Sequence, residues 1–208
     1  MPYIDLGNNQ PGIRSLFAYR PETAYPMSLL AEVLLRGPST LTTGERELIA
    51  AYVSSLNECA YCTASHAAFA AAQLPEGMAL VDEVRADLAT APVTPKLAAL
   101  LRVAAAVQRS GKEAHAEDIA AARAAGATDL EIHDTVLIAA AFCMFNRYVD
   151  GLGTTLRDDP AEYAAAAEMI VRDGYVAILG SAAEKSGNPS LALSDLPVFL
   201  SAPRSSST

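Results

Sequence analysis

The sequence has few aromatic residues, few cysteines and few basic residues. The shortages of cysteines and of basic residues each argue against a class of protein. Tryptophan is absent, aromatic residues make up 6% of the 208 residues, and there are three cysteines. Small secreted disulfide scaffolds carry more cysteines in shorter chains, so we expect a cytoplasmic protein instead. Acidic residues outnumber basic ones by 24 to 15, which argues against a broad nucleic-acid-binding surface.

Long apolar runs are missing as well. The most apolar stretch, residues 136–145, is about half as long as a helix that spans a bilayer. Residues 1–10 are polar and have no basic patch ahead of an apolar run, so they do not resemble a secretory leader. We therefore expect no membrane-spanning segment and no membrane partner.

Alanine is the residue that the sequence has in excess, with 42 of the 208 positions. Alanine has the highest helix propensity, and no alternating strand pattern of useful length appears. We predict an all-α protein with an extended arm at residues 1–21, a helical domain at 22–179 and a mostly irregular tail at 180–208. Within the domain, helical patterns lie near residues 22–36, 42–56, 57–73, 77–89, 95–110, 116–125, 130–148 and 160–178.

A weak internal repeat divides the helical domain. The sequence Leu-Ile-Ala-Ala occurs at residues 48–51 and again at 137–140, and at the same offset Asn57 matches Asn146. This register predicts two related halves, with each asparagine at a joint where its side chain caps free amides between two helices. The two halves lie around residues 41–73 and 130–151.

The most informative segment carries two cysteines and a histidine, Cys59-x-x-Cys62-x-x-x-His66. Spacings of three and four residues place these side chains on one face of a helix. Cys59 would lie in the first turn, where free amides and the helix dipole stabilise a thiolate. His66 is spaced to take the Cys62 proton, directly or through a water. An antiparallel hairpin folded at Asn57 would return Glu47 towards this pair as a proton-exchanging carboxylate.

These residues carry a resemblance to a known family. The run from Leu41 to Ile49, followed by Asn57-x-Cys59-x-x-Cys62-x-x-x-His66, resembles the alkylhydroperoxidase AhpD and carboxymuconolactone decarboxylase-like superfamily. The Cys-x-Tyr-Cys form and the leading Pro-Gly-Ile of residues 11–13 are similar to its peroxidase-related branch. The likeness covers roughly residues 10–180 and implies an AhpD-like helical bundle built from duplicated units.

The resemblance also implies roles for four residues. Cys62 would be the peroxidatic cysteine, which peroxide oxidises to a sulfenic acid, and Cys59 would resolve it as a disulfide. Glu47 and His66 would form the proton relay that activates Cys62. This sequence departs from the best-studied members at one position, where Tyr61 replaces a second histidine. A phenol is a poor base at neutral pH, so the relay is shortened.

Three other interpretations of the same residues stay open at this point. The two cysteines, His66 and Glu47 are chemically able to hold zinc, although structural zinc sites more often use two cysteine pairs or two histidines. A redox-sensing helical protein without turnover would use the same thiols. Decarboxylase-type chemistry occurs elsewhere in the superfamily but does not need the cysteine pair.

The interpretation as a peroxidase sets expectations about partners. We expect a hydroperoxide substrate, a dithiol electron donor such as a lipoyl- or thioredoxin-like protein, and no cofactor, bound metal or nucleic acid. The resemblance implies a homo-oligomer, a trimer or a hexamer. The apolar composition, 51% of residues with a mean hydropathy of +0.20, agrees with burial of helix surface between subunits.

Overall fold

The computed structural model of the protein describes residues 1–157 and 159–186, with side chains up to residue 176. Every regular element within these ranges is a helix, which confirms the predicted all-α fold. No helix in the same ranges combines the length and the hydrophobicity that crossing a membrane requires. The helices are α1 (Ile13–Tyr19), α2 (Pro21–Arg36), α3 (Thr43–Leu56), α4 (Ala60–Ala71), α5 (Gly77–Ala86), α6 (Pro95–Arg109), α7 (Ala116–Ala124), α8 (Asp129–Gly151) and α9 (Ala161–Ser186).

Local sequence signals explain where several helices begin. Thr42 caps α3, and the Glu45 side chain accepts a hydrogen bond from the Thr42 backbone in return, so the predicted capping box is present. Thr128 and Glu131 form an equivalent box at the start of α8. Thr94 caps α6, which has a proline at its first position. These starts depend on neighbouring residues, so the sequence alone could predict them.

Three predicted boundaries are wrong. The arm at residues 1–21 is not extended throughout, because residues 13–19 form α1. The second helix of the motif begins at Ala60 and not at Asn57, since the chain turns through residues 57–59 first. The tail predicted from residue 180 is helical at its start, because α9 runs to Ser186; the rest of the tail lies outside the described residues.

The repeat prediction fails at the second asparagine. Asn57 ends α3, as expected, but Asn146 lies inside the uninterrupted helix α8 and marks no joint. The Asn57 side-chain amide instead donates a hydrogen bond to Asn146 Oδ1 over 2.7 Å, and the Asn146 amide donates to Ser54 Oγ. The two matched residues are therefore joined by one hydrogen bond where α3 and α8 pack together.

The core lies between α3, α6 and α8, and α4 packs against α3 on one side and α9 on the other. Its fully buried side chains include Leu48, Ile49, Leu100, Leu101, Ile138 and Phe142. Alanines fill the positions between these large residues in α3, α6 and α8. Small side chains let the helices approach closely, so the excess of alanine is used for packing as well as for helix formation.

A buried carboxylate joins three parts of the fold. Glu131 is 1% exposed, and Oε1 accepts hydrogen bonds from Lys96 Nζ at 2.7 Å and from the Thr40 hydroxyl at 2.8 Å. The Thr128 backbone amide donates to Oε2. Burial raises the pKa of Glu131, but the bonds from Lys96, Thr128 and Thr40 outweigh it and hold the pKa at about 2.

This network makes the stability of the protein depend on pH. The pKa of Glu131 is lowered in the fold, so its contribution is present above the unfolded value of 4.5 and is lost as the pH falls towards 2. We expect the stability difference between wild type and Glu131→Gln to shrink by roughly 1 kcal/mol between about pH 6 and pH 3.5. Urea unfolding at both pH values measures it. Glu45→Gln, in the more exposed capping box of α3, is the control, and an equal change there would contradict the assignment.

Candidate active site

The site is built on the hairpin formed by α3 and α4. Asn57 ends α3, and Glu58 has φ = 58°, the left-handed region that side chains with a Cβ rarely occupy. Cys59 then caps α4, and its carbonyl accepts the first helical hydrogen bond, from the Thr63 amide at 2.9 Å. Left-handed residues other than glycine and asparagine cost of order 1–2 kcal/mol and cluster at functional sites. The strained turn at Glu58 thus leads directly into Cys59 at the start of α4.

The two cysteines form one buried pair. Cys59 is 0% exposed and Cys62, the third residue of α4, is 5% exposed. Both are free thiols, and they pack with Tyr61, Val149 and the partly buried Tyr163. Hydrogen bonding to Cys62, burial and the charge of the Cys62 thiolate raise the pKa of Cys59 far above its ordinary value. Burial and the neighbouring sulfur therefore strongly disfavour a negative charge on Cys59.

The prediction of a stabilised thiolate at Cys59 is wrong. Cys59 lies at the cap and not inside the first turn, and its pKa is raised where the helix dipole alone would lower it. Besides Cys62 and burial, the nearby Asp150 carboxylate on α8 disfavours a negative charge on Cys59. The neighbouring Cys62 and burial outweigh the helix dipole in setting the pKa of Cys59.

Buried Glu47 and partly buried His66 form a second pair. The hairpin brings Glu47, which is 1% exposed, against His66, whose Nδ1 lies 2.7 Å from Glu47 Oε2. A carboxylate accepts, so Nδ1 carries the hydrogen and the other ring nitrogen, Nε2, is left as a base. Phe142 and Phe69 contact the imidazole edge-on, with centroid distances of 4.5 Å and 5.1 Å. The ring is thus held in one orientation by a hydrogen bond and two aromatic contacts.

A third residue, which no motif in the sequence indicated, completes this pair. The Tyr175 hydroxyl, on α9, donates a hydrogen bond of 2.5 Å to Glu47 Oε1, and the Tyr175 ring stacks on the His66 ring. Burial and the Glu47 carboxylate raise the pKa of Tyr175 well above its ordinary value, so it stays a donor. Gly174 just before it was the only sequence signal, because a glycine inside a helical pattern suggests a break.

The structure brings the four predicted residues together as two pairs. Cys62 and His66 lie one turn apart on α4, but no hydrogen bond joins them within the described part of the chain. Proton transfer between them therefore needs a bridging molecule. Across residues 1–157 and 159–186, no three His, Cys, Asp or Glu side chains converge as ligands for a metal ion. The proposed zinc ligands, Cys59, Cys62, His66 and Glu47, are not arranged as one set.

Tyr61 covers the cysteines on the side of the N-terminal arm. It is 6% exposed, its ring lies 6.2 Å from that of Tyr163, and burial raises its pKa. Gly12, with φ = 54°, allows the arm to close over it, because a Cβ at Gly12 would collide with the Tyr61 ring. Tyr61 thus fills the place of the second histidine as a packed, protonated phenol and not as a base.

An open cleft lies beside the turn that precedes Cys59. It has a volume of about 580 Å³ and is lined by Glu58, Arg147 and Asp150, among others. Glu58 precedes Cys59 in the chain, and Asp150 is close enough to Cys59 to affect its pKa. The cleft therefore lies next to Cys59, although Cys59 itself is not part of the lining.

Comparison with known proteins finds similarity over the segment that carries these residues. The model of the carboxymuconolactone decarboxylase family matches residues 21–74, which include Glu47, both cysteines and His66. The chain is 28% identical to an uncharacterized peroxidase-related protein with an alkylhydroperoxidase AhpD core from Ralstonia eutropha JMP134. That match covers 76% of this chain and 80% of the other, with a TM-score of 0.66.

A second solved structure is equally similar. It is an uncharacterized peroxidase-related protein from Silicibacter sp. TM1040, with 28% identity, a TM-score of 0.66 and coverage of 74% of this chain and 78% of the other. No curated protein matches the sequence significantly.

Proposed function

Because the chain belongs to the superfamily of AhpD-like and carboxymuconolactone decarboxylase-like proteins, we propose that it is a cysteine-based hydroperoxide reductase with an antioxidant role. Cys62 is the peroxidatic residue, Cys59 the resolving residue, and Glu47 with His66 the proton relay. The proposal depends above all on one observation. A buried, closely packed cysteine pair at the start of α4 lies one helical turn from His66, whose imidazole pairs with the buried Glu47 carboxylate of α3.

The asymmetry of the cysteine pair supports the assignment of roles. Cys59 holds its proton because of Cys62, burial and Asp150, whereas Cys62 lies in the first turn of α4, near its free amides. The thiolate is the reactive form of cysteine. Cys62 is therefore the first sulfur to react, and Cys59 is the proton-bearing thiol beside it.

In the first step, the Cys62 thiolate attacks one oxygen of the hydroperoxide. An S–O bond forms, the O–O bond breaks, and the leaving alkoxide takes up a proton to become the alcohol. The sulfur is oxidised to a sulfenic acid and the peroxide is reduced by two electrons. His66 supplies the proton through a bridging water, and Glu47 keeps the imidazole in the orientation that this transfer needs.

In the second step, the Cys59 sulfur attacks the Cys62 sulfenic acid. An S–S bond forms and the hydroxyl leaves as water, with the proton that Cys59 gives up. An external dithiol then reduces the disulfide by thiol–disulfide exchange and is itself oxidised. The cleft next to Cys59 is the surface on which this donor approaches.

Thiol counting tests the proposed function. One equivalent of an alkyl hydroperoxide is expected to remove two of the three thiols, and a dithiol is expected to restore both. Cys143 should keep its thiol, since it is buried in the main core and hydrogen-bonded to the Gln108 carbonyl. With excess dithiol, peroxide should be consumed over many turnovers.

Two results would contradict the proposal. Peroxide consumption limited to one equivalent per chain, with dithiol present, would indicate a redox sensor without turnover. Release of zinc with the loss of the thiols would indicate a metal site.

A further inference from the structure

The position of Tyr175 depends on a break in α9. Gly174 has φ = 80° inside this helix, which separates residues 161–173 from the segment that begins at Tyr175. A break exposes carbonyls at the end of one helical segment and amides at the start of the next. In this structure both kinds of group find their partner on α2.

One ion pair of α2 satisfies both sides of the break. The Glu32 carboxylate accepts a hydrogen bond from the Tyr175 backbone amide at 2.6 Å, and the Arg36 guanidinium donates to the Val171 carbonyl at 3.0 Å. Glu32 and Arg36 lie one turn apart on α2, with 3.5 Å between Oε1 and Nε. A Cβ at Gly174 would lie 2.6 Å from Glu32 Oε2, so only glycine allows this close approach. We call Glu32 and Arg36 the α2 clamp.

The clamp fixes the backbone from which Tyr175 reaches Glu47. The phenol hydroxyl binds Oε1 and the imidazole binds Oε2, so each carboxylate oxygen has one donor. Other charged groups act on this cluster: Arg36 and Glu32 of the clamp act on Tyr175, and Arg46 of α3 interacts with Glu47 and with Asp134 of α8.

We infer that Tyr175 is a positioning residue for the Glu47–His66 pair, and that the α2 clamp holds it in place across the break in α9. The predicted effect of Tyr175 on turnover rests on the proposed function, whereas its predicted effect on the His66 ring does not. Within the described part of the chain, Tyr175 makes no hydrogen bond or ring contact with Cys59 or Cys62. It acts through Glu47. Because the phenol binds Oε1, the Glu47 carboxylate is held in one orientation, and Oε2 faces Nδ1 of the His66 ring.

Tyr175→Phe removes the donor and keeps the ring. Without this donor, Glu47 Oε1 loses its hydrogen-bond partner in a buried space, and the charge balance of the Glu47–His66 pair changes. We expect the acidic limb of the kcat/KM profile for hydroperoxide to move up by about one pH unit, and kcat/KM at pH 7 to fall about tenfold. Tyr52→Phe is the matched control, because Tyr52 is a partly buried phenol on α3 that lies near Arg109 and Asp87 instead.

The clamp is tested by a double-mutant cycle. Glu32→Ala should shift the acidic limb in the same direction as Tyr175→Phe, and the double variant should shift it no further, because both changes act on one hydrogen bond. Glu22→Ala is the control on the same helix, at an exposed ion pair with Arg20. Full additivity of the two shifts would overturn the role of the clamp.

A readout that needs no turnover separates this inference from the proposed function. Nitrogen chemical shifts of the His66 ring, assigned with His66→Ala, report which ring nitrogen carries the hydrogen. We expect Nδ1–H in the wild type and a changed shift and titration midpoint in Tyr175→Phe, with no change in Tyr52→Phe. Identical His66 titrations in all three proteins would overturn the positioning role. If the His66 titration depends on Tyr175 but the protein reduces no peroxide, the proposed peroxidase function is wrong and the positioning role of Tyr175 is retained.

Discussion

Cys62→Ser is expected to lower the rate of peroxide reduction by roughly a thousandfold or more, because it removes the sulfur that attacks the peroxide in the proposed reaction. The serine hydroxyl is nearly isosteric with the thiol, so the fold should survive at a site that is 5% exposed. Peroxide consumption in the presence of a dithiol measures the loss. Cys143→Ser is the control for a buried cysteine that takes no part, and its activity should stay near that of the wild type.

Cys59→Ser separates the two sulfurs. With Cys62 intact, one equivalent of peroxide should still react, but no disulfide can form, and the product should be the sulfenic acid or a higher oxide of Cys62. A sulfenic-acid probe followed by mass spectrometry identifies the modified residue. Trapping of sulfenic acid on Cys59 in the Cys62 variant, with none on Cys62 in the Cys59 variant, would invert the assignment.

Loss of the Glu47–His66 pair should have the second-largest effect. We expect Glu47→Gln and His66→Ala each to lower kcat for hydroperoxide by about a hundredfold or more, the size of a typical general acid–base contribution. The glutamine keeps the volume of the buried side chain. It has no negative charge and only one oxygen, so it cannot accept hydrogen bonds from both His66 and Tyr175 as the carboxylate does. Glu131→Gln is a matched control, since Glu131 is equally buried and lies in a network with Lys96 and Thr40.

The two members of the pair should differ in a second measurement. The rate of Cys62 alkylation by iodoacetamide at neutral pH depends on the thiolate fraction. His66→Ala is expected to lower this rate, because the imidazole acts on the Cys62 proton through a bridging water, whereas Glu47→Gln should lower turnover more than alkylation. An unchanged alkylation profile in His66→Ala would make His66 a packing residue and the relay wrong.

Much of the fold follows from patterns of neighbouring residues. The excess of alanine and the missing strand alternation predicted an all-α protein, and the capping box of Thr42 and Glu45 predicted the start of α3. The segment that carries the cysteines and His66 was found from spacing within a single helix. These predictions succeeded because helix starts and same-face spacing depend on residues within about one turn of each other.

The meeting of Glu47 with His66 needed one more step, the assumption of an antiparallel hairpin. The turn at residues 57–59 provides it, although its strained geometry at Glu58 was not visible in the sequence. The matched asparagines show the limit of such reasoning. Their register was detected, but Asn146 lies within a continuous helix and pairs with Asn57 across two packed helices.

The raised pKa of Cys59, the place of Tyr175 and the clamp of Glu32 with Arg36 were decided by the tertiary structure alone. Each depends on side chains from helices far apart in the chain: Asp150 from α8 beside Cys59, and Tyr175 from α9 against Glu47 of α3. Sequence spacing carries information about contacts along one helix or across one turn. Contacts between distant helices, and the burial that sets their electrostatics, exist only once the core has packed.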